Sequence, residues 1–210
     1  MIFKSKHHPI LYSFFKHIFA SLSTGMYFNK VIFSGTFSDR GKPVFVVANH
    51  LSWWDGIWIM YFNIKKLNRK FHFMMLENMM LKNKLANQVG GFSVKKGSRS
   101  IVETLNYTAE LLNSNENMVL VFPQGKIESL YTPYIHFENG YNNILKKVPA
   151  DAQIVFLVNL VDYLSNIKPT LSMYFKEYEN VNLDANKMED NYNHFYSQCV
   201  AEQMLKTENE

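Results

Sequence analysis

Residues 44–58 read VFVVANHLSWWDGIW, and this stretch decides the fold. Its first five residues are all apolar, without the alternation of a half-exposed strand, which is typical of a strand buried on both faces of a parallel sheet. A polar turn follows at Asn49 and His50, and an apolar run after Asp55 predicts a helix. A buried strand that leads through a turn into a helix is a building unit of an α/β domain.

The same alternation of strands and helices continues along the chain. Strand-like runs recur at 70–76, 92–96, 118–123, 153–161 and 171–175, and helical patterns lie at 10–28, 77–91, 98–113 and over the last thirty residues. We therefore expect a single α/β domain over residues 1–210, with a largely parallel sheet flanked by helices and an N-terminal amphipathic helix. Within it, residues 1–35 are predicted to contact a membrane, 36–176 to form the α/β core and 177–210 to form an acidic helical tail. Residues 127–140 are expected to be a surface loop or a lid.

The predicted N-terminal helix has one apolar face. The apolar residues that recur every four positions are Ile10, Phe14, Ile18 and Leu22. Such a helix can lie in a membrane interface or pack on its own domain, and the sequence leaves both open. The first 38 residues contain no Asp or Glu, which favours contact with a membrane.

Composition limits the classes of protein to consider. Apolar residues make up 47% of the chain, enough for a packed core and too many for a disordered chain. The lone Cys199 excludes an intramolecular disulfide and a cysteine-based metal cluster. No apolar run reaches the ~18 residues of a membrane-spanning helix, and no secretory signal is recognisable. The sequence therefore predicts a cytoplasmic protein, held peripherally on the inner face of the cell membrane.

The distribution of charge favours an anionic partner. The net charge is only +4, but nine Lys or Arg residues lie between positions 65 and 99, against the single acid Glu77. Phospholipid headgroups, an acidic carrier protein or a nucleotide would each fit, and so would a solvated lysine-rich surface. Only three of the 22 basic residues are Arg. Because no nucleic-acid-binding module is recognisable either, nucleic acid is not an expected partner.

His50 and Asp55 are the first candidates for chemistry. The histidine ends a buried strand and the aspartate begins the next helix, so the carboxylate can turn back toward the imidazole. A carboxylate in that place fixes the tautomer of the ring and stabilises its protonated form, which leaves the other nitrogen to act as a general base. The alternative is a helix-capping Asp beside a loop histidine, with no chemistry. The neighbouring tryptophans would pack an apolar wall beside the base or anchor the site at a membrane interface, and at least one of them should belong to the core.

Two further turns follow predicted strands. GGFSVKKGS (90–98) combines glycines with Lys95 and Lys96 ahead of a predicted helix, which is typical of an anion site, although an ordinary basic turn has the same composition. VLVFPQGKIES (119–129) places Gly125 and Lys126 directly after a buried strand. Backbone N–H groups there could face an oxyanion, or the turn could be purely structural.

These segments resemble one family. NHLSWWD resembles the NHxSxxD block of the glycerolipid acyltransferase superfamily, and GGFSVKKGS is similar to its second block, usually Gly-x-Phe-x-Val-x-Arg-Gly. VFPQGKIES resembles its third block, usually Phe-Pro-Glu-Gly-Thr-Arg-Ser, and VPADAQIVFLVN loosely resembles the fourth. Order and spacing agree over about residues 40–165, and the first block is the specific part.

The resemblance implies an α/β fold and transfer of a fatty acyl chain from coenzyme A or acyl carrier protein to the hydroxyl of a lysophospholipid-like or other lipid acceptor at a membrane. His50 would be the general base and Asp55 its orienting partner. The residues implied in substrate binding are Asn49, Ser52, Lys95, Lys96, Gly97, Pro123, Gln124, Gly125 and Lys126. The thioester donor is a co-substrate, and the resemblance implies neither a metal nor another cofactor.

The third block departs from the family pattern. Gln124 stands where Glu is usual, and Lys126 and Ile127 replace the usual Thr-Arg. Because that arginine normally accompanies a phosphomonoester acceptor, the identity of the acceptor stays open. Two rival functions also remain: a catalytically idle lipid- or carrier-binding protein, and a thioester hydrolase that uses the same pair of residues on water. The oligomeric state and the length of the acyl chain are open as well.

Overall fold

A computed structural model describes residues 2–95, 97, 100–179 and 184–207 of the protein. In this part of the chain, strand β2 lies at the centre of a seven-stranded sheet. The strands are β1 (Lys30–Thr36), β2 (Val44–Ala48), β3 (Lys70–Leu76), β4 (Gly91–Val94), β5 (Asn117–Val121), β6 (Gln153–Asp162) and β7 (Thr170–Tyr178). Their order is β1-β7-β6-β2-β5-β3-β4. From β6 to β4 all neighbours are parallel, whereas β7 is antiparallel to β6 and β1 is parallel to β7. The largely parallel sheet expected from the sequence is confirmed.

Helices flank this sheet, as the sequence predicts. They are α1 (Pro9–Phe14), α2 (Ala20–Tyr27), α3 (Asp55–Phe62), α4 (Glu77–Lys82), α5 (Lys84–Gln88), α6 (Ile101–Leu111), α7 (Tyr141–Leu145) and α8 (Ala185–Met204). A π-helical turn, Phe15–Phe19, joins α1 to α2, and a second, Asn63–Leu67, extends α3. The helix predicted over 77–91 is instead the pair α4 and α5, because the backbone leaves the helical region at Asn83 (φ −127°, ψ 77°).

The sequence did not predict β1. This strand lies at one edge of the sheet, and its burial is only partial, so its residues lack the continuous apolar run that marks the central strands. Gly35 interrupts the pattern for a packing reason, since a Cβ there would lie 1.8 Å from the carbonyl oxygen of Phe175. The expected division between residues 35 and 36 therefore falls inside a strand of the sheet.

Two hydrophobic cores lie on the two faces of the sheet, and β2 supplies both. Phe45 and Val47 belong to one core, and Val44, Val46 and Ala48 belong to the other. All five side chains are fully buried. This two-sided burial explains why the run VFVVA contains no polar residue.

Helix α8 covers one of these cores. Met188, Tyr192 and Cys199 recur at helical spacing and are buried in the same cluster as Phe45. The Tyr192 hydroxyl donates a hydrogen bond of 2.9 Å to the carbonyl oxygen of Leu157 in β6. The C-terminal segment, expected as an acidic helical tail, is helical and also contributes a full face to the core.

A buried polar network ties the N-terminal residues to the sheet. The His72 ring, on β3, lies between the Ser5 hydroxyl (2.9 Å from Nδ1) and the side-chain oxygen of Asn117 (3.2 Å from Nε2). Ser5 Oγ is also 2.7 Å from the Tyr107 hydroxyl. Burial, together with a smaller contribution from the adjacent His7, lowers the pKa of His72 from 6.5 to about 3. The network therefore holds a neutral imidazole.

This network should make the fold sensitive to acid. Between about pH 6.5 and about pH 3, the unfolded chain binds a proton at His72 that the folded protein does not bind. The free energy of unfolding should therefore fall on acidification, by up to about 1.4 kcal/mol per pH unit. Urea denaturation at a series of pH values measures this slope. In His72→Gln the slope should shrink, whereas the exposed-site control His17→Gln should keep it; an unchanged slope in His72→Gln would contradict the assignment.

Candidate active site

The loop between β2 and α3 brings His50 and Asp55 together. His50 Nδ1 lies 2.8 Å from Asp55 Oδ2, and the same oxygen accepts hydrogen bonds from the backbone N–H of Leu51 (2.7 Å) and of Ser52 (2.9 Å). The Asp55 side chain is completely buried, whereas that of His50 is 21% exposed. The contact expected from the H-x4-D spacing is therefore present in the structure, and one carboxylate oxygen organises the whole turn.

Two opposing effects act on the pKa of the Asp55 carboxyl. Burial raises the pKa of the Asp55 carboxyl, while hydrogen bonds from His50 and from the Ser52 N–H act in the opposite direction. Three donors converge on one oxygen and favour the ionised form. When Nδ1 donates to this carboxylate, Nε2 of His50 is left as a proton acceptor.

Phe122 packs on one face of the imidazole. It follows β5, the neighbour of β2, and its ring is stacked on that of His50 with centroids 4.0 Å apart and planes 11° from parallel. Asp55 and Phe122 together fix the position and the tilt of the imidazole.

The turn after β5 also fixes the backbone of His50. Gln124 Oε1 accepts a hydrogen bond of 2.6 Å from the His50 N–H, and the N–H of Glu128 donates one of 2.9 Å to the His50 carbonyl oxygen. Gln124 Nε2 in turn donates to Glu128 Oε2 at 2.6 Å, and Glu128 Oε1 lies 2.9 Å from Lys126 Nζ. Hydrogen bonds from Gln124 and from Lys126 lower the pKa of Glu128. The amide of Gln124 therefore serves as an acceptor toward His50 and as a donor toward Glu128.

The hydrogen bonds that join Gln124 and Glu128 to each other and to the His50 backbone form a clamp, and Gln124→Glu should disturb it. The new carboxylate can still accept from the His50 N–H, but it would face the Glu128 carboxylate across the 2.6 Å contact that the amide now bridges. We expect the free energy of unfolding to fall by about 1–3 kcal/mol, with a loss of activity in parallel. Adding Glu128→Gln should restore much of both, because an amide donor again faces a carboxylate. Urea denaturation of the two single variants and the double variant gives the coupling energy; purely additive effects would contradict the clamp.

A gap in the sheet lies beside this pair. Strand β3 pairs with β5 only as far as Phe73 and Leu120, and from there to Leu76 it continues with β4 alone. At the same edge, β5 stays with β2 as far as Val121. The two halves of the sheet therefore separate at their carboxyl ends, immediately beside Phe122.

A cleft of about 810 Å³ fills this gap, and its walls are mainly apolar. His50 lines it together with Met74, Met75, Val121 and Phe122, which border the separated strands. The remaining apolar wall comes chiefly from Leu11, Phe14, Phe15, Phe19, Ile57, Met79, Leu85, Ala86, Val89, Ile101, Leu105 and Ile144. The volume falls within the usual range of about 300–1,000 Å³ for ligand pockets.

The three tryptophans occupy different environments. Trp58 is buried in the core, as expected for at least one of them, and Trp54 packs against that core. Trp53 is 55% exposed and lines the cleft. Of the three tryptophans, Trp53 alone contributes to the apolar wall of the cleft that His50 lines.

The structure separates the predicted substrate-binding residues into two groups. Pro123, Gly125 and Lys126 line the cleft with His50. Asn49 is instead buried and pairs with the backbone of Asn159 in β6, and the Ser52 hydroxyl accepts a hydrogen bond from the Trp54 N–H within the turn. Gln124 is 2% exposed and serves the clamp described above. These three residues are not part of the cleft wall; they form hydrogen bonds that hold the backbone around the site.

The second block reaches the cleft through Val94 and through Gly97, which lines it in a left-handed conformation (φ 69°). Lys95 is largely exposed and lies 4.0 Å from Glu77, away from the cleft wall. Lys96, predicted to bind an anionic group of the acceptor, lies outside the described residues, so its role stays a prediction.

The sequence offers the backbone N–H groups around Gly125 as oxyanion donors, and the structure engages one of them, that of Gly125 itself, within the turn. The Gly125 N–H donates a hydrogen bond of 3.1 Å to the carbonyl oxygen of Phe122 and thereby closes the turn. Gly125 has a φ of 60°, a conformation that glycine adopts without strain. Its N–H is therefore not an oxyanion donor in this arrangement.

Sequence reasoning missed three parts of the site. Phe122 and Glu128 lie within the third block; the sequence gives no signal for Phe122, whereas the i, i+4 spacing of Gln124 and Glu128 is a visible signal of their contact. The gap between β3 and β5 has no local signal, because it depends on how three strands pair.

Within the described residues, no group of three or more His, Cys, Asp or Glu side chains is placed to hold a metal ion. Over the same part of the chain, no helix combines the length and the apolar character needed to span a bilayer.

This geometry places the protein among α/β enzymes that carry a histidine–carboxylate pair at the carboxyl ends of parallel strands. The chain belongs to the acyltransferase family, because the family model described as "Acyltransferase" matches residues 30–158. This match confirms the resemblance drawn from the four sequence blocks. The fold is similar to that of the 1-acyl-sn-glycerophosphate (LPA) acyltransferase PlsC from Thermotoga maritima, with a TM-score of 0.59 and 16% sequence identity over 94% of this chain and 81% of that chain. No curated protein sequence matched the chain.

Proposed function

We propose that this acyltransferase moves a fatty acyl chain from the thioester of coenzyme A or of an acyl carrier protein to the hydroxyl of a lipid acceptor, with His50 as the general base. The observation that carries the proposal is the position of the His50–Asp55 pair at a large apolar cleft. A fatty acyl chain held in that cleft would present its carbonyl carbon close to the imidazole. The acceptor hydroxyl would approach that carbon from the side of the cleft lined by Lys126.

The reaction would proceed by direct transfer. Nε2 of His50 takes the proton of the acceptor hydroxyl as its oxygen attacks the thioester carbonyl, and Asp55 stabilises the imidazolium that forms. The tetrahedral intermediate then collapses, the C–S bond breaks, and the imidazolium returns the proton to the leaving thiolate. A covalent acyl-enzyme is not needed, and Cys199 is buried in α8, where burial raises the pKa of its thiol to about 12.

The acyl chain would occupy the gap between β3 and β5. Met74 and Met75 border this gap, and flexible methionines adapt to chains of different shape. The acceptor end of the cleft is polar by comparison, because Lys126 and Glu138 line it and Glu128 is bonded to Lys126. An ammonium already paired with a carboxylate is a weak phosphate site. We therefore favour a lysophospholipid-like or other lipid acceptor that does not depend on a phosphomonoester.

The N-terminal helix would bring the enzyme to its acceptor. Ile10 is 75% exposed, Leu22 61% and Met26 70%, and α1 to α2 carry no acid. Exposed apolar residues with a basic flank are typical of a helix that lies in a membrane interface. The proposed location is peripheral, on the inner face of the cell membrane.

An assay with extracted lipids tests the function. Purified protein is incubated with an acyl-CoA or an acyl carrier protein thioester, with and without a total lipid extract, and the products are separated by mass spectrometry. A new lipid ester that requires protein, donor and extract is the expected result. Free fatty acid without acceptor would identify a thioester hydrolase, and an unchanged donor would identify an idle binding protein; either outcome rejects the proposal.

A further inference from the structure

Helices α4 and α5 form one lip of the cleft, and the N-terminal helix forms another. Met79, Asn83, Leu85 and Ala86 line the cleft from this side, and Leu11, Phe14, Phe15 and Phe19 line it from α1 and the following π-helical turn. The cleft therefore opens between two helical elements that are distant in sequence.

Both lips expose large apolar side chains at their outer surface. On α4 and α5, Met79 is 40% exposed, Leu81 53% and Leu85 64%. On α1, Ile10 and Phe14 are 75% and 50% exposed. Met79, Leu85 and Phe14 are thus both cleft wall and outer surface, so the apolar lining continues without interruption onto the exterior.

The two lips are also joined by the backbone. The N–H of Lys6 donates to the carbonyl oxygen of Asn87 at 2.9 Å, and that of His8 donates to the carbonyl oxygen of Gln88 at 3.0 Å. Helix α1 begins at Pro9, directly after this contact. The end of α5 and the start of α1 are therefore held side by side as one surface.

The charge around this surface is positive. Lys6, Lys82 and Lys84 are exposed on it. The one acid of α4 and α5, Glu77, lies 4.0 Å from Lys95. Long lysine stems can lie along an apolar layer while their ammonium groups reach anionic headgroups.

We propose that α4 and α5 are a second membrane-contact element, which seats with α1 on a bilayer that contains anionic phospholipid, so that the cleft opens directly into the acyl layer. The benefit of this docking rests on the proposed function, since the acyl chains of substrate and product would then pass between the cleft and the bilayer without crossing water. The docking itself requires no catalysis.

Leu81 allows a selective test, because it is exposed on the proposed surface and does not line the cleft. Wild-type protein, Leu81→Glu and the control Met204→Glu are sedimented with vesicles of phosphatidylcholine and phosphatidylglycerol in equal amounts. Met204 is 79% exposed at the end of α8, which packs on the core opposite to that of α2 and α3. Leu81→Glu should weaken binding about tenfold or more, and Met204→Glu should bind like the wild type.

A second pair of measurements separates docking from catalysis. His50→Ala should bind these vesicles as tightly as the wild type, so docking can be read without turnover. The double variant Lys82→Gln/Lys84→Gln should bind the mixed vesicles more weakly than the wild type does, while its binding to phosphatidylcholine alone stays unchanged. With an acceptor dispersed in detergent, Leu81→Glu should keep its activity. Wild-type binding by Leu81→Glu, or equal losses in Leu81→Glu and Met204→Glu, would overturn the proposal.

Discussion

Replacing His50 by Ala should lower the rate of acyl transfer by about 10²–10⁴-fold, the usual contribution of a general base. The imidazole lines the cleft, contacts Asp55 through Nδ1 at its edge and is stacked on Phe122 by its face. No other imidazole in the described chain lines that cleft. The measurement is the steady-state rate of ester formation at saturating donor and acceptor.

His136→Ala is the matched control for this variant. That side chain is 80% exposed and lies near the site in sequence, in the loop that follows the third block, but it does not line the cleft. Its removal should leave the rate close to that of the wild type. A His50→Ala enzyme with a wild-type rate and a cooperative unfolding transition would contradict the role of His50.

Asp55→Asn should produce the second large loss, about 100-fold or more. An amide oxygen in the place of Oδ2 can still accept from the N–H groups of Leu51 and Ser52, so the turn should persist. What disappears is the negative charge that stabilises the imidazolium. The rate should therefore fall mainly through kcat, while KM for both substrates changes little.

The two variants should not be additive. If Asp55 acts through His50, the double variant His50→Ala/Asp55→Asn should be no slower than His50→Ala alone. Independent contributions would multiply instead and would show that Asp55 acts on the reaction by another route. Circular dichroism and urea denaturation of all three proteins check that the comparison concerns folded enzyme.

The parts of the site that could be predicted are local in sequence. His50 and Asp55 lie five residues apart at the junction of a strand and a helix, so their contact needs only one turn. The buried strands were visible for a related reason: two-sided burial leaves an uninterrupted apolar run, as in β2 and in residues 154–158 of β6. The half-exposed edge strand β1 lacks such a run and was missed.

The parts that could not be predicted depend on contacts between distant segments. Asn49 and Gln124 belong to the first and third family-like blocks, yet the structure places both outside the cleft wall, bonded to Asn159 and to His50 respectively. Membership of a block predicts that a residue lies near the site, but it does not predict whether its side chain faces the cleft. The cleft arises because β3 leaves β5 after Phe73, and no single segment encodes that register.

The most direct test of the account is a single-turnover experiment with protein in excess over a radiolabelled acyl thioester. In the presence of the acceptor identified from the lipid extract, the wild-type enzyme should move the label straight from donor to lipid, with none covalently attached to the protein at any time, and His50→Ala should leave it on the donor. Label on the protein, label released only as free fatty acid, or equally fast transfer by His50→Ala would contradict direct transfer with His50 as the base.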